Sequence, residues 1–185
     1  MGKRRRLIIN DSATVGLDQD PDHCFNGARM DEERLTEVPV EHLVDIHIDF
    51  EPAEMFATPV GMRLNLIARA GTVAGERLRG TIVPGSADSI VIGSDGVSRL
   101  DVRGTIRTHD GALVFMTNTG RIMLPPDALA RYAAGETITS DEMFARSCPL
   151  FETSAEGYEW LNTAVTVAYH DVALAHVDYR IYRFV

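Results

Sequence analysis

The sequence predicts an all-β protein, a single antiparallel β-barrel with one or two short helices. Apolar and polar residues alternate with a period of two in several segments, as at 43–50, where Val44, Ile46 and Ile48 share one face. Asp-Gly pairs at 95–96 and 110–111 separate such segments and favour the tight turns of β-hairpins. Many short strands with little helix are typical of a sandwich or a barrel. A closed barrel also leaves no sheet edge exposed, which favours it here.

The predicted elements follow in order from residue 38. After the strand at 43–50, strands are expected at 63–70, 78–83, 88–93, 97–108, 112–119, 120–124, 164–174 and 176–184. A turn is expected at Asn118-Thr119-Gly120, between two of them. A short helix is expected over 127–134, because proline suits the start of a helix and Gly135 its end. A second helical turn is expected over 156–163.

The chain is expected to form one barrel domain over 38–185, preceded by an extension over 1–37. The extension shows little periodicity, so we expect it to wrap the surface or to contact a partner subunit. It carries a basic run at 3–6, but the whole chain has a net charge of −9. An acidic surface argues against binding to nucleic acid or to anionic lipid.

Location and cofactors are constrained by what the sequence contains. The two cysteines, Cys24 and Cys148, are far apart and outside any C-x-x-C spacing, so we expect reduced thiols in a cytoplasmic protein. The chain has no apolar run of the ~18 residues that span a bilayer, so we expect no membrane insertion. Neither a G-x-G-x-x-G nor a G-x-x-x-x-G-K-[ST] motif is present. We therefore expect no nucleotide, redox cofactor or metal.

Several short motifs, in order, resemble a known family. They are Gly75-Glu76-Arg77-Leu78-Arg79-Gly80, Val83-Pro84-Gly85-Ser86-Ala87-Asp88, Leu100-Asp101-Val102-Arg103, His109-Asp110-Gly111, Pro149-Leu150-Phe151-Glu152-Thr153 and Tyr158-Glu159-Trp160-Leu161-Asn162. In order and spacing the chain resembles domain-of-unknown-function family 3237, also called uncharacterised protein family 0311. The resemblance implies an oligomeric barrel of the calycin and allene oxide cyclase type, with a pocket for small, largely apolar molecules. Ser89 and Gly104 stand where the family tends to have aromatic residues. The resemblance implies that these smaller residues would enlarge a pocket.

The first candidate site joins Arg79, Asp88, Asp101 and Arg103. Asp101 and Arg103 share a strand face, because side chains two residues apart point the same way. If that face points into the barrel, Arg79 and Arg103 would hold a substrate oxygen, and Asp101 would transfer a proton while Asp88 binds substrate. The alternative is an Arg–Asp ion pair on a solvated face.

The second candidate site joins Glu152 to its aromatic neighbours. Glu152 would act as a general acid or base in an apolar pocket, and Phe151, Tyr158 and Trp160 would line that pocket. Asn162 would bind a substrate carbonyl. The alternative is that Trp160 closes the barrel end, while Asn162 and Glu152 cap local backbone.

Asp45, His47 and Asp49 share the polar face of one strand. Their side chains are of the types that bind metals, but a span of ~13 Å along one strand makes convergence on one ion awkward. We expect a solvated polar stripe there.

Taken together, the residues favour a cofactor-independent isomerase, cyclase or lyase. It would transfer protons on a small aromatic, polyketide-like or terpenoid molecule and would form a homo-oligomer. The alternatives are a lipocalin-like carrier and a structural oligomer whose barrel is filled by side chains, as eight-stranded barrels can be.

Overall fold

The structure is a computed structural model and describes residues 5–8 and 37–185. Its strands are β1 (Arg5–Ile8), β2 (Glu37–Phe50), β3 (Glu54–Thr58), β4 (Gly61–Ala74), β5 (Arg79–Ile82), β6 (Ala87–Ile92), β7 (Ser98–Thr108), β8 (Leu113–Met123), β9 (Phe144–Glu152), β10 (Thr166–Val172) and β11 (His176–Phe184). Helix α1 spans Ala128–Ala133, and a 3₁₀ helix spans Glu159–Thr163. No helix in the described part of the chain is both long and apolar enough to cross a membrane.

The strands form one antiparallel ring that closes between β2 and β4. Around the ring the order is β2, β11, β10, β9, β8, β7, then β5 and β6 at one shared position, then β4. β5 pairs with the second half of β4 and β6 with its first half, and both also pair with β7. This confirms the predicted antiparallel β-barrel.

Residues 83–86 interrupt the wall between β5 and β6. Gly85 has a φ of 90°, which glycine adopts without strain. The Ser86 hydroxyl donates to the Val83 carbonyl (2.8 Å) and accepts from the Thr105 N–H (3.1 Å). The Ser86 side chain therefore joins the segment to β7, and backbone hydrogen bonds join it to Ala68 of β4 and Thr105 of β7.

The inner face of the barrel is mostly apolar, as strict alternation along the strands requires. On β7, Leu100, Val102 and Ile106 are buried, while Asp101 and Arg103 between them are exposed. The isoleucines at 46 on β2 and 181 on β11 are almost fully buried. The hydrophobic effect thus fixes which residues face inward, since a one-residue slip would expose the whole set.

One local prediction was wrong, and two strands were not predicted. Segment 112–124 is one strand, β8, and not two strands joined by a turn at 118–120. Gly120 allows close approach of β9, because a Cβ there would lie 2.5 Å from the Arg146 carbonyl oxygen. Pairing with β7 and β9 on both sides overrides the local turn signal. Strands β3 and β9 were not predicted at all.

The predicted extension contributes β1, which pairs with Glu37–Val40 at the start of β2. Residues 1–4 and 9–36, with Cys24, lie outside the described residues, so the predicted role of the extension stays a prediction. Cys148 is an exposed free thiol.

Candidate active site inside the barrel

A narrow cavity lies inside the barrel beside the interruption at 83–86. The space open to the centre of a water molecule is about 10 Å³, close to what one water needs. Its walls come from most sides of the ring and are apolar apart from two titratable side chains and one serine. The lining residues are Ile48, Phe50, Ala68, Ile82, Ser86, Ala87, Asp88, Val102, Gly104, Met116 and Tyr179.

Gly104 opens this space, as the sequence comparison with the family suggested for a position that lacks its aromatic ring. A Cβ at this residue would lie 3.2 Å from Ser86 and 3.8 Å from Met116. A larger side chain would therefore fill the cavity. Ser89, the other such position, lies on β6 between the buried Asp88 and Ile90 and does not line the cavity.

Asp88 is the buried acid of this cavity. Only 6% of the residue is exposed, and its Oδ1 accepts a hydrogen bond from the Asp101 N–H at 3.0 Å. Burial raises the pKa of Asp88 from its usual 3.8 to about 7, against the lowering effect of that hydrogen bond. Within residues 37–185 no lysine or arginine is buried, so no buried cation in this range offsets the cost of ionising the Asp88 carboxyl group.

Tyr179 faces Asp88 across the cavity and connects it to a second polar group. The nearby Asp88 charge adds to burial in raising the pKa of Tyr179, so its hydroxyl stays protonated. Its ring lies 4.6 Å from that of His170, its partner on β10. Nε2 of His170 is 2.7 Å from the Ser147 hydroxyl oxygen, a hydrogen-bond distance. Burial lowers the pKa of His170 to about 4, which makes it a neutral imidazole near pH 7.

Asn118 of β8 is another polar residue that points inward, and only 2% of it is exposed. Neither its Nδ2 nor its Oδ1 has a hydrogen-bond partner among the described residues, and the same holds for Nδ1 of His170. Strand pairing places Asn118 opposite Val102, and Val102 opposite Asp88. Besides Ser98, Thr108 and Thr166, which are also buried at inward-facing strand positions, the barrel interior carries five polar side chains along part of the ring. They are Asn118, Ser147, His170 and Tyr179 on the successive strands β8 to β11, and Asp88 on β6, beyond β7.

The first predicted candidate site is not inside the barrel. Asp101 and Arg103 lie on the outer face of β7, with side chains 61% and 64% exposed, and form an ion pair of 3.3 Å. This is the alternative arrangement that the sequence left open. Arg79 is also exposed, and its Nε donates to the Gly75 carbonyl at 2.9 Å. Of the four, only Asp88 faces the cavity.

The second predicted site is divided between the two faces of β9. Phe151 points inward and is 5% exposed, whereas Glu152 points outward into an open cleft on the barrel surface. Asn162, at the rim of that cleft, accepts from the Thr153 N–H (2.9 Å) and donates to its carbonyl (2.8 Å). Asn162 thus caps local backbone, as the alternative interpretation held.

Tyr158 and Trp160 belong to a cap over one end of the barrel. The Tyr158 hydroxyl donates to the two carboxyl oxygens of Asp110 at 3.1 and 3.2 Å. The Arg77 guanidinium lies 3.9 Å from the centre of the Trp160 ring, and the adjacent Leu161 is fully buried. Neither Tyr158 nor Trp160 lines the interior cavity.

The polar stripe of β2 faces outward. His47 contacts Asp178 of β11 through Nδ1 at 2.7 Å and Asp49 through Nε2 at 3.4 Å. Hydrogen bonding to Asp178 is the main reason that the pKa of His47 is raised. Within residues 5–8 and 37–185, no group of three or more His, Cys, Asp or Glu side chains has the geometry to hold a metal ion.

Sequence reasoning missed Asn118, Ser147, His170 and Tyr179. The signal was present in their spacing. Each lies two residues from an apolar inward residue: Met116, Ala145, Ala168 and Val177. A polar residue in an otherwise apolar alternating series marks the inner face of a barrel as a site.

The fold and this interior define the class: a small, closed antiparallel barrel with an acid, a tyrosine and an unpartnered amide on its inner wall. The chain belongs to the family described as "Protein of unknown function (DUF3237)", which matches residues 38–184. The UPF0311 protein of Clostridium acetobutylicum is 28% identical over 140 residues, which cover 75% of this chain and 89% of that protein.

A solved structure and an enzyme are also similar to the chain. The crystal structure of a conserved protein of unknown function from Rhodopseudomonas palustris has a TM-score of 0.74 at 23% identity, and the match covers 80% of this chain and 98% of that one. The hydroalkoxylation enzyme phnH of Penicillium herquei is 34% identical over 92 residues, 50% of this chain and 46% of that protein.

Proposed function

We propose that the protein is a small-molecule enzyme that transfers a proton within its barrel, as an isomerase, cyclase or lyase. Its substrate is a small apolar or aromatic molecule of the polyketide or terpenoid kind. The observation that carries this proposal is the Asp88 carboxyl group, which is buried in an apolar cavity beside Tyr179. Apolar walls with a few convergent polar groups are typical of small-molecule sites, but this cavity has to widen before it can hold a substrate.

Asp88 is suited to acid–base work because both of its protonation states are accessible near neutral pH. Protonated Asp88 delivers its proton to a substrate carbon or oxygen, and the carboxylate then takes a proton from another substrate atom. No electron donor or acceptor is needed, since the proton lost and the proton gained balance. Tyr179 donates a hydrogen bond to the substrate oxygen on which negative charge develops.

We assign proton transfer to Asp88 rather than to Asp101 or Glu152, because those two acids face the outside of the barrel. Likewise, Tyr179 takes the oxygen-binding role that the sequence suggested for Arg79 and Arg103. The relative from Penicillium herquei supports this reaction class, since hydroalkoxylation adds an O–H bond across a double bond and is a proton-transfer reaction.

Substrate entry requires the wall to open, because the cavity is narrower than any such substrate. The segment 83–86 borders the cavity and is joined to β7 through the Ser86 hydroxyl. We assign entry to this point.

Incubation in D₂O tests the proposal directly. The wild type is mixed with neutral aromatic ketones, phenols and cyclic terpenoids, and mass spectrometry follows deuterium uptake into carbon. Proton transfer gives uptake even where no net product forms. The Asp88→Asn variant should lose at least about 100-fold in rate, while Asp101→Asn, the matched outer-face control, should retain it. Equal rates for wild type and Asp88→Asn would refute the role of Asp88.

A barrel filled by its own side chains is the alternative, and the narrow cavity favours it. It predicts that no molecule in the set binds to the wild type or exchanges deuterium. Binding without exchange would instead indicate a carrier.

A homo-oligomer is also part of the proposal. Leu113, Phe115 and Leu150 lie on the outer faces of β8 and β9 with 50%, 38% and 49% exposure, and contiguous apolar patches commonly mark interfaces. Light scattering should show a multiple of the monomer mass, and Phe115→Glu should shift it toward the monomer. A monomeric wild type would contradict this part.

A further inference from the structure

Asn118 presents a complete and unused hydrogen-bonding group to the barrel interior. Its amide offers two N–H donors and one acceptor oxygen, and no described residue partners either Nδ2 or Oδ1. Buried polar groups in native proteins nearly always have partners. A group that pairs with this amide through two parallel hydrogen bonds must itself carry a donor and an acceptor on one carbon or on adjacent carbons.

The surroundings of Asn118 exclude a negatively charged group as that partner. The buried polar or charged residues of the described chain are Asp88, Ser98, Thr108, Asn118, Ser140, Ser147, Thr166 and His170. This set contains an acid but neither a lysine nor an arginine. An anionic ligand would therefore be buried without a counter-ion, at a prohibitive cost in desolvation.

The position of Asn118 ties it to the proposed reaction. Asp88 and Asn118 flank Val102 on the two neighbouring strands, and Val102 lines the cavity. Directly paired side chains in adjacent strands lie about 5 Å apart. Asn118 does not itself line the cavity, so a molecule over Val102 reaches both Asp88 and Asn118 once the cavity widens toward β8.

We infer that Asn118 is a substrate-binding residue that selects molecules without a negative charge that carry a hydrogen-bond donor and an acceptor on one carbon or on adjacent carbons, such as amides or α-hydroxy-ketones. The inference rests on the proposed function and names its substrate class. Asn118 holds the polar end of the molecule, and the reacting atom lies toward Asp88 and Tyr179.

Matched probes test the charge and the hydrogen-bond pattern. Benzamide, benzoate and acetophenone are similar in shape but differ in their polar group. Benzamide carries a hydrogen-bond donor and an acceptor, benzoate carries a negative charge, and acetophenone carries an acceptor alone. At pH 7.5, calorimetry with the wild type should give the lowest Kd for benzamide. We expect benzoate and acetophenone to bind at least about tenfold more weakly. Failure of benzamide to bind, or equal binding of benzoate, would overturn the inference.

The Asn118→Leu variant tests the residue itself. It should lose at least about tenfold in benzamide affinity and, without ligand, should melt above the wild type, because apolar groups of similar size replace an unpartnered amide. Thr119→Leu, the adjacent outer-face residue, is the control and should keep wild-type affinity. Unchanged benzamide affinity in Asn118→Leu would overturn the inference.

Two further measurements separate this inference from the proposed function. Asp88→Asn should lose deuterium exchange but keep benzamide binding. Retained exchange in Asp88→Asn would refute the proposed function, whereas wild-type benzamide affinity in Asn118→Leu would refute the present inference alone. If Asn118→Leu does not fold, NMR of the wild type replaces it. Benzamide should then shift the side-chain amide resonances of Asn118, and unmoved resonances would contradict the inference.

Discussion

Asp88 and Asp101 are in direct contact, yet they lie on opposite sides of the barrel wall. The Asp101 N–H donates to the carboxyl group of Asp88, but Asp88 is 6% exposed, whereas the Asp101 side chain is 61% exposed and paired with Arg103. The period-two alternation of β6 and β7 produces this difference. The same residue type is thus a buried carboxyl group with a raised pKa on the inner face and a solvated ion on the outer face.

The largest expected effect is that of Asp88→Asn on stability above pH 7. The pKa of Asp88 is raised from 3.8 to about 7, so the folded state keeps a proton that the unfolded chain loses above pH 4. The contribution of Asp88 to the free energy of unfolding therefore falls between about pH 4 and pH 7 and is constant above. Asparagine has no charge to bury and can still accept from the Asp101 N–H.

At pH 8, Asp88→Asn should exceed the wild type by up to about 4 kcal/mol, and the difference should vanish near pH 4. Urea unfolding at several pH values measures this. Asp101→Asn, in the same contact but on the outer face, should remain within about 0.5 kcal/mol of the wild type throughout. Parallel stability curves for the wild type and Asp88→Asn would mean that Asp88 is solvated and that the two faces do not differ.

The next largest effect is that of His170, which also lies on the inner face. Its contribution to the free energy of unfolding changes with pH in the direction opposite to that of Asp88. Burial lowers its pKa from 6.5 to about 4, so the unfolded chain takes up a proton that the folded state does not. Its contribution to stability falls by up to about 3 kcal/mol as the pH drops from 6.5 to 4. In the wild type this loss largely cancels the gain from Asp88.

The variant His170→Gln should expose the Asp88 dependence alone, a free energy of unfolding that decreases steadily from pH 4 to 7. In the double variant Asp88→Asn/His170→Gln, both dependences should disappear. Urea unfolding at the same pH values tests both variants. The slope of the free energy of unfolding against pH is compared rather than its absolute value, because loss of the imidazole also changes packing against Ser147. A slope equal to that of the wild type would contradict the buried neutral imidazole.

A smaller effect is expected at the cap, where the interior meets the outside at one barrel end. Tyr158→Phe removes the hydrogen bonds from the hydroxyl to Asp110 and keeps the buried ring. We expect the Tm to fall by roughly 2–4 °C, typical of losing one hydrogen bond in a domain of this size. Tyr169→Phe on the outer face of β10 is the control, and a similar fall there would make the cap unexceptional.

The sequence predicted the barrel well and the site poorly, for one physical reason. Alternation identifies the two faces of each strand, but only packing decides which face points inward. On β7 the charged residues Asp101 and Arg103 have the chemistry expected of a site, but the alternate residues Val102 and Ile106 form the core. Asn118 has the local signature of a turn, because it lies two positions before a glycine, but long-range strand pairing overrides that signal.

The smallest expected effect is on the outer face. Arg103→Ala breaks the pair with Asp101, but both side chains are more than three-fifths exposed, and exposed ion pairs contribute at most about 1 kcal/mol. The free energy of unfolding should change by less than that, and deuterium exchange should match the wild type. A variant that folds but loses exchange would place the chemistry on the outer face. The catalytic role of Asp88 would then be refuted. Its effect on stability would stand, because burial of Asp88 would still explain how the free energy of unfolding depends on pH.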